Sequence, residues 1–178
     1  TYTRLNDAYD PHTIETAWRQ RWRESGQHIT PTDIDADRST FYCLDFFPYP
    51  SGAGLSVGHS RNYVPADVIC RYRRMKGDAV LHPMGWDAFG LPAENEAILR
   101  GRHPRDTTAE YAGNYRDQLD LLGCSYDWER EIDSSSPDYY RWTQWFFLLL
   151  HERGLAYRAP GRQWWCPVCE TVLANEQV

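Results

Sequence analysis

The stretch Phe46-Phe47-Pro48-Tyr49-Pro50-Ser51-Gly52-Ala53-Gly54-Leu55-Ser56-Val57-Gly58-His59 lies between an apolar run, Thr40 to Phe47, and a segment reaching Met75. The first run has the β-branched and aromatic content of a buried strand. The segment from about His59 places Val64, Val68, Tyr72 and Met75 in helical register. A glycine- and proline-rich loop between strand and helix is where α/β proteins bind phosphate. Glycines let the backbone come close, and the helix start offers unpaired N–H groups and a partial positive charge. His59, at that helix start, can add a hydrogen bond or a proton.

Downstream, Gly77 stops this helix, and Pro65 inside it is expected to kink or divide it. A second strand, Ala79 to Met84, leads into the loop Gly85 to Pro92 and a short helix from Ala93 to about Leu99. Strand, loop, helix and strand make a βαβ unit with parallel strands, so the loops after both strands lie at one sheet edge. Topology alone then brings Asp87 near His59. The fold class read from this pattern is α/β, a Rossmann-like parallel sheet with flanking helices.

Upstream, a helix starts after Asp10 with Pro11 at its first position, carries Ile14, Ala17, Trp18 and Trp22 on one face, and ends at Gly26. Downstream lie two longer helices, Thr107 to Leu122 and Pro137 to about Arg153. The second is apolar almost throughout, from Trp142 to Leu150, which predicts a helix enclosed on several sides. Leu155 to Ala159 and Gln163 to Trp165 read as short strands.

A formal net charge of -6 over 178 residues argues against coating nucleic acid through an overall field. Arg71, Arg73, Arg74 and Lys76 read as a solvated helix end complementing the C-terminal dipole. No apolar run approaches the roughly 18 residues of a membrane span. Cys43, Cys70 and Cys124 stand singly in apolar settings, as reduced thiols do, which predicts a cytoplasmic compartment. Cys166-Pro167-Val168-Cys169 has the spacing of half a tetrahedral zinc site, with a redox pair as the rival reading.

With those residues in place, the chain resembles the N-terminal part of a leucyl-tRNA synthetase. The resemblance rests on Pro48-Tyr49-Pro50-Ser51-Gly52 leading to Val57-Gly58-His59, and on Gly85-Trp86-Asp87-Ala88-Phe89-Gly90-Leu91-Pro92-Ala93-Glu94-Asn95. It rests also on Tyr126-Asp127-Trp128, on Tyr139 to Trp145, and on Trp165-Cys166-Pro167 through Thr171 to Gln177. Related valyl and isoleucyl enzymes typically carry a histidine where this chain has Ala88 or Phe89, so leucine is the substrate implied.

The resemblance implies attack of the leucine carboxylate on the α-phosphorus of ATP, with Mg²⁺, and then transfer of leucine to tRNA(Leu). It assigns ATP to Pro50, Ser56, Gly58 and His59, with His59 as the catalytic donor. The leucine α-ammonium falls to Asp87, helped by the backbone around Phe47, with Tyr49 near the side chain. Ser56 stands where the family carries its first signature histidine, and this departure keeps a second reading open: a non-catalytic synthetase-like binding module. The resemblance further implies residues 1–160 as the first half of the catalytic domain and 161–178 as the start of a zinc-binding insertion, with Cys166 and Cys169 as two of its ligands. The second signature, Lys-Met-Ser-Lys-Ser, is absent, which predicts a fragment; no stable protein partner is implied.

Overall fold

The computed structural model describes residues 9–52 and 54–178; Ala53, in the loop quoted above, falls outside them. The residues up to Tyr139 form one compact unit and Tyr140–Val178 a second.

In the first unit, helix α1 (Pro11–Ser25) is capped by Asp10, which accepts from the His12 N–H, and closes on Gly26 at φ 61°. Strand β1 (Thr40–Tyr42), helix α2 (Val57–Met75) and strand β2 (Ala79–Leu81) make the expected βαβ unit, with Phe41 opposite Val80 in parallel register. Strand β3 (Gly85–Trp86) follows and pairs, also in parallel, with β4 (Ile132–Asp133). Helices α3 (Leu91–Arg100) and α4 (Pro104–Leu121) start earlier than expected, each with a proline in its first turn.

Several expectations differ from the structure. The run from Thr40 is paired only as far as Tyr42, with one more bond from the Cys43 N–H to Leu81 O at 2.9 Å. The expected second strand is likewise split, because Pro83 has no N–H to give a ladder; the chain pairs with β1 before it and with β4 after it. Nor is the first run buried on both sides: Tyr42, Leu44 and Phe46 are exposed and alternate with half-buried Phe41, Cys43, Asp45 and Phe47. That is the period-two pattern of a sheet covered on one face. Helix α2 starts at Val57, two residues before His59, and Pro65 does not divide it.

The core joins α2, β3, α4 and the segment before β4. Tyr63, Met84, Leu119, Cys124 and Tyr126 form one buried cluster, and Trp86, Ala88 and Tyr115 another; Leu55 and Trp128 pack against both. The basic end of α2 leaves Arg73 and Lys76 exposed, as a solvated face would, but Arg71 and Arg74 are half-buried and act as staples. Arg71 donates to Asp67 at 2.7 Å and to Gly123 O, Arg74 donates to Ser125 Oγ at 2.6 Å, and Arg73 reaches Asp78.

In the second unit the sequence expectation fails more broadly. Helix α5 (Pro137–Glu152), which begins just before the boundary, has no buried residue, and Trp142 is 61% exposed. Apolar composition marks a face that burial would stabilise, and supplies no partner for it. Leu155 to Ala159 form no strand; Gly154 turns away at φ 68° and no neighbouring strand pairs with them. Instead β5 (Trp164–Cys166) pairs antiparallel with β6 (Thr171–Leu173). Among the described residues no helix is long and apolar enough to cross a membrane.

Candidate active site

The loop enters α2 through a reciprocal cap. The Ser56 hydroxyl accepts from the His59 backbone N–H, and the Ser56 backbone N–H donates to His59 Nδ1 at 2.9 Å. An imidazole nitrogen that accepts from an amide carries no proton itself, so the neutral ring holds its proton on Nε2. The ring is set by Tyr63, stacked one turn along α2 at 5.9 Å between centroids, and by Tyr115 of α4 at 6.0 Å. His59 therefore presents Nε2–H as a donor beside the helix start, next to the exposed Gly58. Ser56 satisfies donors at the helix start, a role that serine performs well.

Helix α4 grips the loop from behind. Gln118 Oε1 accepts from the Leu55 N–H at 2.6 Å, and its amide lies so close to Gly54 that a Cβ there would come within 2.7 Å of Nε2. Tyr115, almost fully buried and three residues away on the same face of the helix, brings its hydroxyl against Gly52, 3.7 Å from where a Cβ there would sit. Neither residue stood out in the sequence, where both read as ordinary members of an amphipathic helix. Pro48 and Pro50 are buried and Tyr49 between them is exposed, so the loop turns the tyrosine outward.

The Asp87 N–H donates to Pro48 O at 3.1 Å, tying the two loops that topology predicted at one edge. Strand β3, which leads into Asp87, approaches so closely that a Cβ on Gly85 would sit 2.5 Å from Ile132 O and 2.7 Å from the Phe47 ring. The half-buried Phe47 ring thus packs against Gly85. Beyond Asp87, the Ala88 N–H donates to Ser134 Oγ at 2.9 Å, and Trp86 Nε1–H donates to Glu131 at 2.6 Å. Glu131 also pairs with Arg116, whose guanidinium lies over Trp128. In contrast to these satisfied neighbours, the half-buried Asp87 carboxylate has no hydrogen bond or ion pair among the described residues. A carboxylate left so is a receptor for a cation, and an ammonium meets it with charge-assisted bonds.

In the second unit, Cys166 ends β5 and Cys169 lies in the turn to β6. The Cys169 N–H donates to Cys166 Sγ at 3.4 Å. Amide donors from Cys169 and Val168 hold the Cys166 thiol below its usual range, whereas the neighbouring Cys166 raises Cys169. Two sulfurs on a hairpin knuckle, one favouring thiolate, fit half of a tetrahedral zinc site. No histidine or acidic side chain joins them in a metal-sized cluster among the described residues.

Comparison with known proteins identifies the family. The family model for tRNA synthetases class I (M) matches residues 45–178. A leucine–tRNA ligase of Thermosynechococcus vestitus is 56% identical over 174 residues, which is 98% of this chain and 20% of that protein. A leucine–tRNA ligase of Nitratidesulfovibrio vulgaris is 55% identical over 170 residues, again 20% of its length. The chain thus spans about a fifth of the curated relatives it matches. Among solved structures, the Agrobacterium radiobacter K84 agnB2 LeuRS, in a ternary complex with tRNA and LeuAMS, superposes with a TM-score of 0.86 at 41% identity, covering 96% of this chain and 22% of that one.

Proposed function

The chain belongs to the class I tRNA synthetases, and from that premise we propose that it carries the first half of the adenylation site of an enzyme activating leucine with ATP and transferring it to tRNA(Leu). Of the likenesses reported, those to leucine–tRNA ligases support leucine as the amino acid. The observation that carries the reading is the pairing of His59 Nε2–H, a fixed donor at a helix start, with the unpartnered Asp87 carboxylate across two loops tied by the Asp87–Pro48 bond.

In this reading ATP lies along the loop at Pro50, Ser56 and Gly58, with its phosphates at the N-terminus of α2. Phosphoryl-type transfer is accelerated mostly by positioning and by stabilising oxygen charge, and Mg²⁺ when bound neutralises part of that charge. His59 donates to a phosphate oxygen, and the leading amides of α2 add their dipole. Asp87 holds the leucine ammonium, the Phe47 backbone helps to orient it, and Tyr49 flanks the side chain. The carboxylate of leucine is then aimed at the α-phosphorus, with pyrophosphate leaving. Cys166 and Cys169 provide two thiolates to a structural zinc ion in residues 161–178, a segment separate in role from the catalytic half at 1–160.

Ser56 is compatible with the catalytic reading. The backbone N–H at position 56 holds Nδ1 of His59 whatever the side chain, and the serine hydroxyl caps the His59 N–H, so the exchange of histidine for serine leaves the remaining imidazole held. Leucine-dependent ATP–pyrophosphate exchange, measured on a protein containing this whole chain, tests the reading. Exchange with leucine well above that with valine or isoleucine is expected, and its loss in the His59→Asn variant; equal exchange with all three would refute the assignment of substrate.

A further inference from the structure

We propose that Cys43, Cys70 and His82 form a second metal site, binding a thiophilic divalent cation through two thiolates and one imidazole. One ligand atom from each of the three lies within 4.8 Å of the others. They converge from the end of β1, the middle of α2 and the end of β2, so the βαβ unit itself assembles the site. Cys70 and His82 are fully buried and Cys43 is half-buried. The two sulfurs are neighbours in the cluster.

The histidine supplies the argument for a ligand. His82 Nε2 lies 3.0 Å from Asp45 Oδ2, an oxygen that also accepts from the Tyr126 hydroxyl at 2.8 Å. The contact with Asp45 occupies Nε2 and leaves Nδ1 as the other ring nitrogen. That Nδ1 is buried and has no hydrogen-bond partner, alone in this among the side-chain atoms of the described residues. A buried polar atom left unsatisfied is costly, and a cation would satisfy it. Metal-binding histidines usually donate their other N–H to a carboxylate, which fixes the ring and raises its basicity. The Tyr126–Asp45–His82 relay has that form.

Charge and size agree. Two thiolates neutralise a divalent ion, so the loaded site has no net charge, as burial requires. Without a cation, burial pushes both thiols up and keeps them protonated, with Arg74 and Asp67 the nearby charges acting on Cys70. Tetrahedral ligands with bonds of about 2.3 Å lie about 3.8 Å apart. Atoms already within 4.8 Å of one another reach that spacing by small side-chain shifts. On binding, two S–H bonds are exchanged for two metal–sulfur bonds, two protons leave to solvent, and no electron is transferred.

Cadmium is the probe, titrated under reductant into the Cys166→Ser/Cys169→Ser protein so that the hairpin contributes nothing. The expected result is one Cd²⁺ per chain, a thiolate-to-cadmium charge-transfer band, two protons released per ion and a raised Tm. Cys43→Ser and Cys70→Ser should each weaken the band and together abolish it, while Cys124→Ser leaves it intact. Asp45→Asn should lower affinity about 10- to 100-fold. Cys43 is half-exposed, so its variant remains informative if Cys70→Ser fails to fold. The absence of the band in the folded hairpin variant, or its survival in the Cys43→Ser/Cys70→Ser pair, would overturn the proposal.

Discussion

The loop from Pro48 to His59 and the turn from Cys166 to Cys169 both gather polar donors on a few residues of tight backbone, yet they are held differently. The loop is fixed by Gln118, by Tyr115 and by the Asp87 N–H, each reaching from a distant part of the first unit. The turn is held by its own hairpin, and no residue from Tyr140 to Val178 is buried. Tertiary packing preorganises a phosphate site in the one case; in the other, order must come from something that binds. A site for transition-state charge needs the first arrangement, because its donors must be aligned before the charge develops.

The largest expected effect comes from breaking the packing beneath the loop. Gly85→Ala forces a Cβ against Ile132 O and the Phe47 ring, and should cost about 3 kcal/mol in urea unfolding. Acid should act on the first unit next. Burial alone would raise the Asp67 carboxyl, but hydrogen bonds from Ser125 and Arg71 outweigh it and hold the group below its ordinary value. A folded pKa below the unfolded one means stabilisation that is present above about pH 4 and lost as pH falls through the folded value. The urea midpoint should therefore fall between pH 5 and pH 2, and Asp67→Asn should flatten that dependence.

Smaller effects sharpen the contrast. Ser56→Ala removes the hydroxyl that accepts from the His59 N–H and should cost about 1 kcal/mol, while the backbone N–H at position 56 still donates to Nδ1 and the ring nitrogen-15 shifts of His59 stay in place. On the hairpin, Val168→Ala, at a residue 90% exposed, should change stability by less than about 0.5 kcal/mol. A chelator should leave the midpoint of the first unit's unfolding in place if zinc at Cys166 and Cys169 orders the hairpin alone; a shift on chelation in the Cys166→Ser/Cys169→Ser protein would point to the Cys43 cluster.

The βαβ unit was legible in the sequence because Thr40 to Phe47, the glycine loop and the register of Val64, Val68 and Tyr72 are local signals. So was the nearness of Asp87 to the loop, since parallel topology dictates it. Gln118 and Tyr115 were not legible, because their grip on the loop depends on where α4 lands, which no local pattern encodes. β4 was missed because two residues carry no periodicity. The enclosure expected of Trp142 to Leu150 failed for a related reason: an apolar run states a need for cover, and no local pattern supplies the cover. Ser56 shows the reverse, an apparent defect in a motif that structure explains as a helix cap.

The most direct test of one site shared by His59 and Asp87 is calorimetric titration of leucine and ATP, separately, into the wild-type protein and Asp87→Asn. A charge-assisted bond to a buried partner contributes about 1.5–3 kcal/mol, or roughly 10- to 150-fold in affinity. Leucine affinity should fall by that factor in Asp87→Asn while ATP affinity holds. Unchanged leucine affinity, or a loss confined to ATP, would contradict the placement of the amino acid at Asp87.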